Sequence, residues 1–222
     1  MTRVQYFTAC TIDGFIADEN QSLDWLYEAP HGEDEGGWDE FIGNVGPMAM
    51  SATTYESMLR DHEMLVNPQR WREFYEDRPC WVFSHRDLPP IPTVDIRIVS
   101  GDVRSVYDEM VATLPGKNIW IVGGGELVSQ FDDAGLLDEV WLGMRPVFLG
   151  SGAPLLPRRI TTKRLTLREV KHSGQELRLI LDVGREHRTF VSGSGTAAIG
   201  QSNHTDGRWR ALRPRCVQPV GN

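Results

Sequence analysis

The stretch Ile119 to Phe131, IWIVGGGELVSQF, constrains this chain more than any other. A continuous apolar run from Ile119 to Val122 reads as a buried strand, while Leu127, Val128 and Phe131 recur at helical spacing. The segment is therefore strand, glycine turn and helix. Gly123, Gly124 and Gly125 have no Cβ, so the backbone can take left-handed angles and another group can approach it closely. A helix beginning there turns its unsatisfied N–H groups, and about half a unit of positive charge, back across the turn. Such a turn suits an anion. The same three glycines also suit a tight strand-to-helix connection with no ligand.

The rest of the chain repeats the alternation. Val4 to Cys10 reads as a strand, with a turn at Asp13-Gly14 and a short apolar continuation over Phe15, Ile16 and Ala17. After the acidic loop HGEDEGG, the residues Trp38, Phe41, Ile42 and Val45 fit one helix face, and Gly46-Pro47 is the expected stop. Met48 to Met50 is a short strand. Ser51, Thr53 and Thr54 stand where the next helix starts, a second candidate anion site that more commonly serves only as a cap. Asn67-Pro68 opens a helix carrying Trp71, Phe74 and Tyr75. Strands follow at Cys80 to Phe83, which ends in Ser84-His85-Arg86, and at Ile96 to Val99. Val103, Val106, Tyr107, Met110, Val111 and Leu114 give an amphipathic helix stopped by Pro115-Gly116. Beyond the glycine turn, Glu139 to Val147 is a strand interrupted by Pro146. Leu165 to Val170 and Leu177 to Val183 form an antiparallel hairpin about Ser173-Gly174.

Strands that alternate with helices imply an α/β three-layer sandwich with a mostly parallel central sheet, made mixed by the C-terminal antiparallel hairpin. Ligands of such sheets bind beyond the carboxyl ends of the strands. Ser51 to Thr54, Ser84 to Arg86 and Gly123 to Gly125 all fall there, an arrangement that fits a ligand with several phosphates. The dinucleotide fingerprint of spaced glycines followed by an acid is missing.

The partition expected is one domain over 1–184 and a weakly ordered tail over 185–222. From Arg185 onward there are six arginines and two acids, a tail of +4, so the body carries −12 of the total of −8. An acidic body without a basic stripe argues against nucleic acid as a partner. No apolar stretch reaches the roughly 18 residues that span a bilayer, so membrane insertion is not expected and the location expected is cytoplasmic. The three cysteines lie far apart, without zinc or disulfide spacing, so no metal is expected.

TIDGFIAD, LDWL, PMAMSATTYESM, WVFSHRDLP, IWIVGGGELVSQF and LLDEVWLGMRPVFLGSGAPLLP, in this order, resemble the dihydrofolate-reductase-like superfamily. Within it they are most similar to the reductase domain of the riboflavin-biosynthesis deaminase-reductase and its stand-alone forms, over residues 2 to 183. The resemblance implies a dihydrofolate-reductase-like fold and an oxidoreductase using NADPH, with NADH as the other nicotinamide cofactor. It also implies a small-molecule substrate and a homodimer. The cofactor-binding positions it implies are Ala9 and Ile16 beside the nicotinamide, Thr53 and Thr54 at the pyrophosphate, and Ser84, His85 and Arg86 near the adenosine ribose. Gly123, Gly124, Gly125, Glu126 and Leu127 complete the set, with a cis peptide at Gly123-Gly124. Counting back from Met50 puts Glu35 at the family's carboxylate position. Asp34 and Asp39 are close enough to exchange with it, and the whole run also suits a solvated loop. Burial of Glu35 or Asp39 beside Trp38 and Phe41 would raise its pKa and make it a proton donor.

There are departures. Where the family has Met-Gly-Arg-x-Thr, this chain has Met50-Ser51-Ala52-Thr53-Thr54, which removes a bidentate phosphate donor. Glu126 stands where folate reductases often carry a basic residue, and Gly143 where they carry a threonine, which argues against dihydrofolate. The function expected is NAD(P)H-dependent reduction of a small heterocyclic or ribosylamino substrate. The alternatives are a non-catalytic nucleotide-binding module on the same fold, or a dihydrofolate reductase.

Overall fold

The computed structural model describes residues 2–28 and 38–185. Its main sheet has eight strands in the spatial order Ile96–Val99 (β5), Cys80–Phe83 (β4), Val45–Ser51 (β3), Asn118–Gly123 (β6), Val4–Thr11 (β1), Leu137–Arg145 (β7), Glu176–Val183 (β10) and Leu165–Ser173 (β9). A separate pair joins Phe15–Ala17 (β2) to Ala153–Pro154 (β8). The helices are Asp24–Tyr27 (α1), Trp38–Ile42 (α2), Ala52–Asp61 (α3), Gln69–Tyr75 (α4), Val103–Thr113 (α5) and Gly125–Asp133 (α6). β1 runs parallel to β6 and β7, and β3 parallel to β4 and β6. β10 is antiparallel to both β7 and β9, so the hairpin closes one side of a mostly parallel sheet.

Side chains alternate across each strand and divide the core in two. Tyr6, Ala49, Ile121 and Leu142 join the cluster under α5 and α6, which supply Val103, Val106, Met110, Leu127, Val128 and Phe131. Met48, Trp120 and Trp141 face the other way, with Phe41 of α2, Tyr55 of α3, and Trp71 and Tyr75 of α4. Helices therefore cover both faces of an α/β three-layer sandwich. No helix among the described residues is long and apolar enough to cross a membrane.

The structure corrects several boundaries. Val45 begins β3 rather than ending a helix face, and Gly46 and Pro47 lie inside that strand. The reason is local: pairing with β6 is irregular between Val45 and Met48, so Pro47 sits where the ladder asks for no N–H. β7 starts earlier than expected, at Leu137, and stops at Arg145, before Pro146. The Gly123-Gly124 peptide is trans, since there is no cis bond among the described residues. Cys10 and Cys80 are buried and free. Cys216, the HGEDEGG loop with Asp34 and Glu35, and the expected tail beyond Arg185 lie outside the described residues.

One buried charge joins the amino end of β1 to the hairpin. Glu139, 2% exposed, accepts hydrogen bonds from Arg3, from Arg168 at 2.8 Å, from Gln5 Nε2 at 2.6 Å and from Trp141 Nε1 at 2.9 Å. Burial alone would raise its pKa, but these donors outweigh burial and bring it from 4.5 down to about 2. A carboxylate whose folded pKa is depressed adds stability above its unfolded pKa and loses it as pH falls through the folded value. Acidification from pH 4.5 to about 2 therefore removes at most about 3 kcal/mol through this group. In Glu139→Gln, urea unfolding at pH 7 should show a loss of about 1–3 kcal/mol, because the buried charged acceptor of four hydrogen bonds is lost while Arg3 and Arg168 remain partly exposed and Arg168 keeps Asp182. Its acid limb should also be flatter than that of the parent.

Candidate functional site

Two helices begin side by side at the carboxyl ends of neighbouring strands. Ser51 ends β3 in an extended conformation and caps α3, its Oγ accepting from Thr54 N at 3.2 Å and lying 3.1 Å from Thr54 Oγ1. β6 ends at Gly123, and α6 starts at Gly125 after Gly124, which has a φ of 98°. A Cβ on Gly124 would lie 2.6 Å from Ser51 Oγ, and one on Gly123 would lie 2.8 Å from Thr54 Oγ1. A Cβ on Gly125 would lie 2.3 Å from the carbonyl oxygen of Pro154. The three glycines are thus required by packing against α3 and β8, which is the second use open to them in the sequence. Their backbone nevertheless lines a cavity of about 460 Å³, together with Thr8, Ile16, Gln21, Ser51, Thr53, Thr54, Ser57 and Leu127. Pockets for small molecules and cofactors typically measure about 300–1,000 Å³.

The remaining wall is built by the other two motifs, which hold each other. Asp13 accepts from Thr11 Oγ1 at 2.6 Å and from the backbone N–H groups of Leu149 and Gly150 at 3.0 and 2.7 Å. The hydrogen bond from Thr11 leads the causes that hold its carboxyl below the usual range; partial burial opposes this and the two backbone donors support it. Gly152, at a φ of 144°, has no room for a side chain, since a Cβ would lie 2.1 Å from the carbonyl oxygen of Ala17. So the TIDGFIAD and FLGSGAPLLP segments are paired, and β2 and β8 bring Ile16, Ala17, Ala153 and Pro154 to the cavity.

Ile16, Thr53, Thr54, Gly123, Gly124, Gly125, Glu126 and Leu127, all expected at a cofactor, line this one cavity. Ala9, Ser84, His85 and Arg86 are not on its wall. Ala9 pairs with Gly143 in the sheet. Ser84 Oγ closes its own turn, accepting from Arg86 N at 2.9 Å and donating to Arg86 O at 2.8 Å, while the Arg86 guanidinium binds Glu56 at 2.9 Å. His85 is exposed. Glu126, which would oppose a phosphate, is matched by Arg158 at 2.8 Å. Asp39 is exposed in the first turn of α2, the solvated alternative that the sequence left open for it, and Trp38 and Phe41 pack against Phe7. Glu35 lies outside the described residues. Sequence reasoning missed Thr8, Gln21, Leu23, Ser57, Met58 and Val122 on the wall. The only signal for Ser57 and Met58 was their place on α3, and Gln21 had none.

The Cys10 thiol is pushed up to about 12, chiefly by burial and then by nearby Glu176, so it is an inert core residue and not a nucleophile. Gly143 sits against the same Glu176, whose carboxyl carbon would lie 3.1 Å from an added Cβ. A threonine there, as a folate site needs, would require Glu176 to move.

Residues 57–179 match the RibD C-terminal domain family. The uncharacterised protein YwjB of Bacillus subtilis is 32% identical over 178 residues, covering 78% of this chain and 93% of the relative. A Shewanella sp. PV-4 protein provisionally assigned to riboflavin biosynthesis has the same fold, with a TM-score of 0.64 and 20% identity over 84% of this chain and 100% of its own. The Thermotoga maritima diaminohydroxyphosphoribosylaminopyrimidine deaminase/5-amino-6-(5-phosphoribosylamino)uracil reductase is similar at a TM-score of 0.57 and 18% identity, over 82% of this chain and 56% of its own. At these identities the likeness to solved structures is one of fold.

The close packing at Gly125 is testable without any ligand. Gly125→Ala should destabilise the protein by about 1–3 kcal/mol in urea unfolding, because the β8 backbone must shift to admit the methyl group. A neutral result would mean that β8 is not seated on the turn.

Proposed function

The chain belongs to the RibD C-terminal domain family, and from that premise we propose that it is an NAD(P)H-dependent reductase of a small heterocyclic or ribosylamino substrate. The reduction it would carry out is related to that of 5-amino-6-(5-phosphoribosylamino)uracil. One observation carries this reading: the starts of α3 and α6, with bare glycine backbone between them, border the same cavity. Thr54 N is taken by Ser51, which leaves the N–H groups of Ala52 and Thr53 and those of the first turn of α6 to meet a diphosphate. The apolar side chains Ile16, Leu23, Met58 and Leu127 on the same wall suit a ring. A reduced nicotinamide nucleotide held there would supply hydride.

The chain's own groups would bind and orient. Arg158 compensates Glu126, so the carboxylate at the start of α6 does not repel a phosphate with its full charge. NADPH is the cofactor we favour on the family's habit, with NADH the alternative. Arg86 is the expected partner of a 2′-phosphate, and it would have to leave Glu56 to serve. Among the described residues Glu126 is the one carboxylate on the cavity wall, and it is engaged in an ion pair, so it is not our proton donor. That role we assign to Glu35, the position the family resemblance supplies.

A second reading, a nucleotide-binding module without turnover, draws on Ala52 in place of the phosphate-binding arginine and on the Glu126 carboxylate. Tryptophan fluorescence during titration with NADPH and with NADH separates the two. We expect saturable quenching by NADPH and oxidation of NADPH in the presence of an aminopyrimidine acceptor. Binding without oxidation of any such acceptor would favour the module, and absence of binding by either nucleotide would defeat the reductase reading. With turnover in hand, Glu35→Gln should lower the rate and shift its pH profile, whereas exposed Asp39 should tolerate Asp39→Asn unchanged.

A further inference from the structure

Most polar side chains on the cavity wall are already spoken for. Ser51 and Thr54 bond to one another, and Glu126 to Arg158. Thr8 Oγ1 bonds to the Ala9 carbonyl, and Ser57 Oγ is approached by Arg60 at 3.5 Å. Two have no side-chain hydrogen bond among the described residues: Thr53, at the start of α3, and Gln21, in the loop after β2.

Gln21 has a φ of 61°, in the left-handed region that glycine and asparagine enter readily and glutamine does not. The position is fixed from both sides. Gln21 N donates to the Asp18 carbonyl at 3.1 Å, and Asp18 Oδ1 accepts from Asn20 N and Ser22 N, each at 2.8 Å. Nothing in this turn requires glutamine, and glycine would adopt it without strain. Yet the residue there is a glutamine, which carries an amide, and it lines the cavity together with the apolar Ile16, Leu23 and Met58. An amide offers a donor and an acceptor together, which complements a carboxamide or a lactam and not a bare anion.

We propose that Gln21 recognises an amide-bearing heterocycle at the apolar end of the cavity, pairing its own carboxamide with the ring's carbonyl and N–H. This deepens the reductase reading and rests on it. The heterocycle is either the cofactor's dihydronicotinamide or the acceptor ring beside it, since both carry the same chemistry.

The test uses the full chain and its Gln21→Gly and Gln21→Leu variants. NADPH and 2′-phospho-ADP-ribose, which lacks the nicotinamide ring, are titrated by tryptophan fluorescence. 6-Aminouracil is then titrated with NADPH saturating. Both variants should lose about tenfold in NADPH affinity, the size of one net hydrogen bond, and keep their affinity for 2′-phospho-ADP-ribose. Gln21→Gly should unfold at or above the parent's temperature, which separates this loss from misfolding. Weakening of 6-aminouracil alone, with NADPH unchanged, would also support the proposal and assign the amide to the acceptor ring. Equal losses on NADPH and 2′-phospho-ADP-ribose, or no loss on any probe, would overturn it while leaving the cofactor reading intact. If the parent bound neither nucleotide, the reductase reading itself would fail and this inference with it.

Discussion

The close approach of two helix starts is the contact on which the rest of the site depends. α3 and α6 meet with Ser51 and Thr54 pressed against Gly123 and Gly124, at distances that leave no space for a Cβ. On the far side, the carbonyls of Pro154 and Leu155 crowd Gly125. A single methyl group at any of the three glycines would push these elements apart. Because the turn has no side chains, two sets of unsatisfied N–H groups can border one cavity rather than two separate surfaces. The exposure of this backbone to the cavity is thus a consequence of how closely the two helix starts pack.

The same logic accounts for motifs that look unrelated along the chain. Asp13, in the turn after β1, binds the backbone at Leu149 and Gly150, and Gly152 lies against Ala17. These contacts hold β2 to β8, and β8 in turn covers Gly125. The Asp-Gly turn, the triple glycine and the Gly-Ser-Gly loop therefore form one continuous structure around the cavity, although more than a hundred residues separate the first from the others. At the opposite end of β1, the buried Glu139 ties Arg3 to Arg168 and so fixes the hairpin to the sheet. The cavity and this ionic cluster lie at opposite ends of the same central strand.

The charges around the site temper the cofactor assignment. Arg86 and Arg158 each hold a carboxylate, Glu56 and Glu126. Ion pairs at this exposure contribute little stability, on the order of 0–1 kcal/mol, so a phosphate could displace them at small cost. Under the function proposed above, discrimination between NADPH and NADH would rest on a competition between anions for the same guanidinium.

Local chemistry made much of this legible in advance. Periodicity gave the strands and helices, since alternation of two and of 3.6 residues follows from which faces must be buried. The hydroxyls at Ser51 and Thr54 announced a helix cap, and the triple glycine announced a turn that backbone must approach. Where a residue's role depends on partners distant in sequence, the reading stopped short. Pro47 sits inside a strand because its neighbour's ladder is irregular there, and Asp39 is exposed because the aromatic rings beside it, not the carboxylate, took the core. Arg86 faces Glu56 across thirty positions of chain, and Gln21 reaches the cavity only because Asp18 bends its loop into a left-handed step. The amino-acid order by itself determined the layers and the glycine turn, because those follow from burial period and from the absence of a Cβ. Which side chains share one cavity was decided only by the tertiary structure, because that depends on strand order and register, which bring residues far apart in the chain within contact of one another.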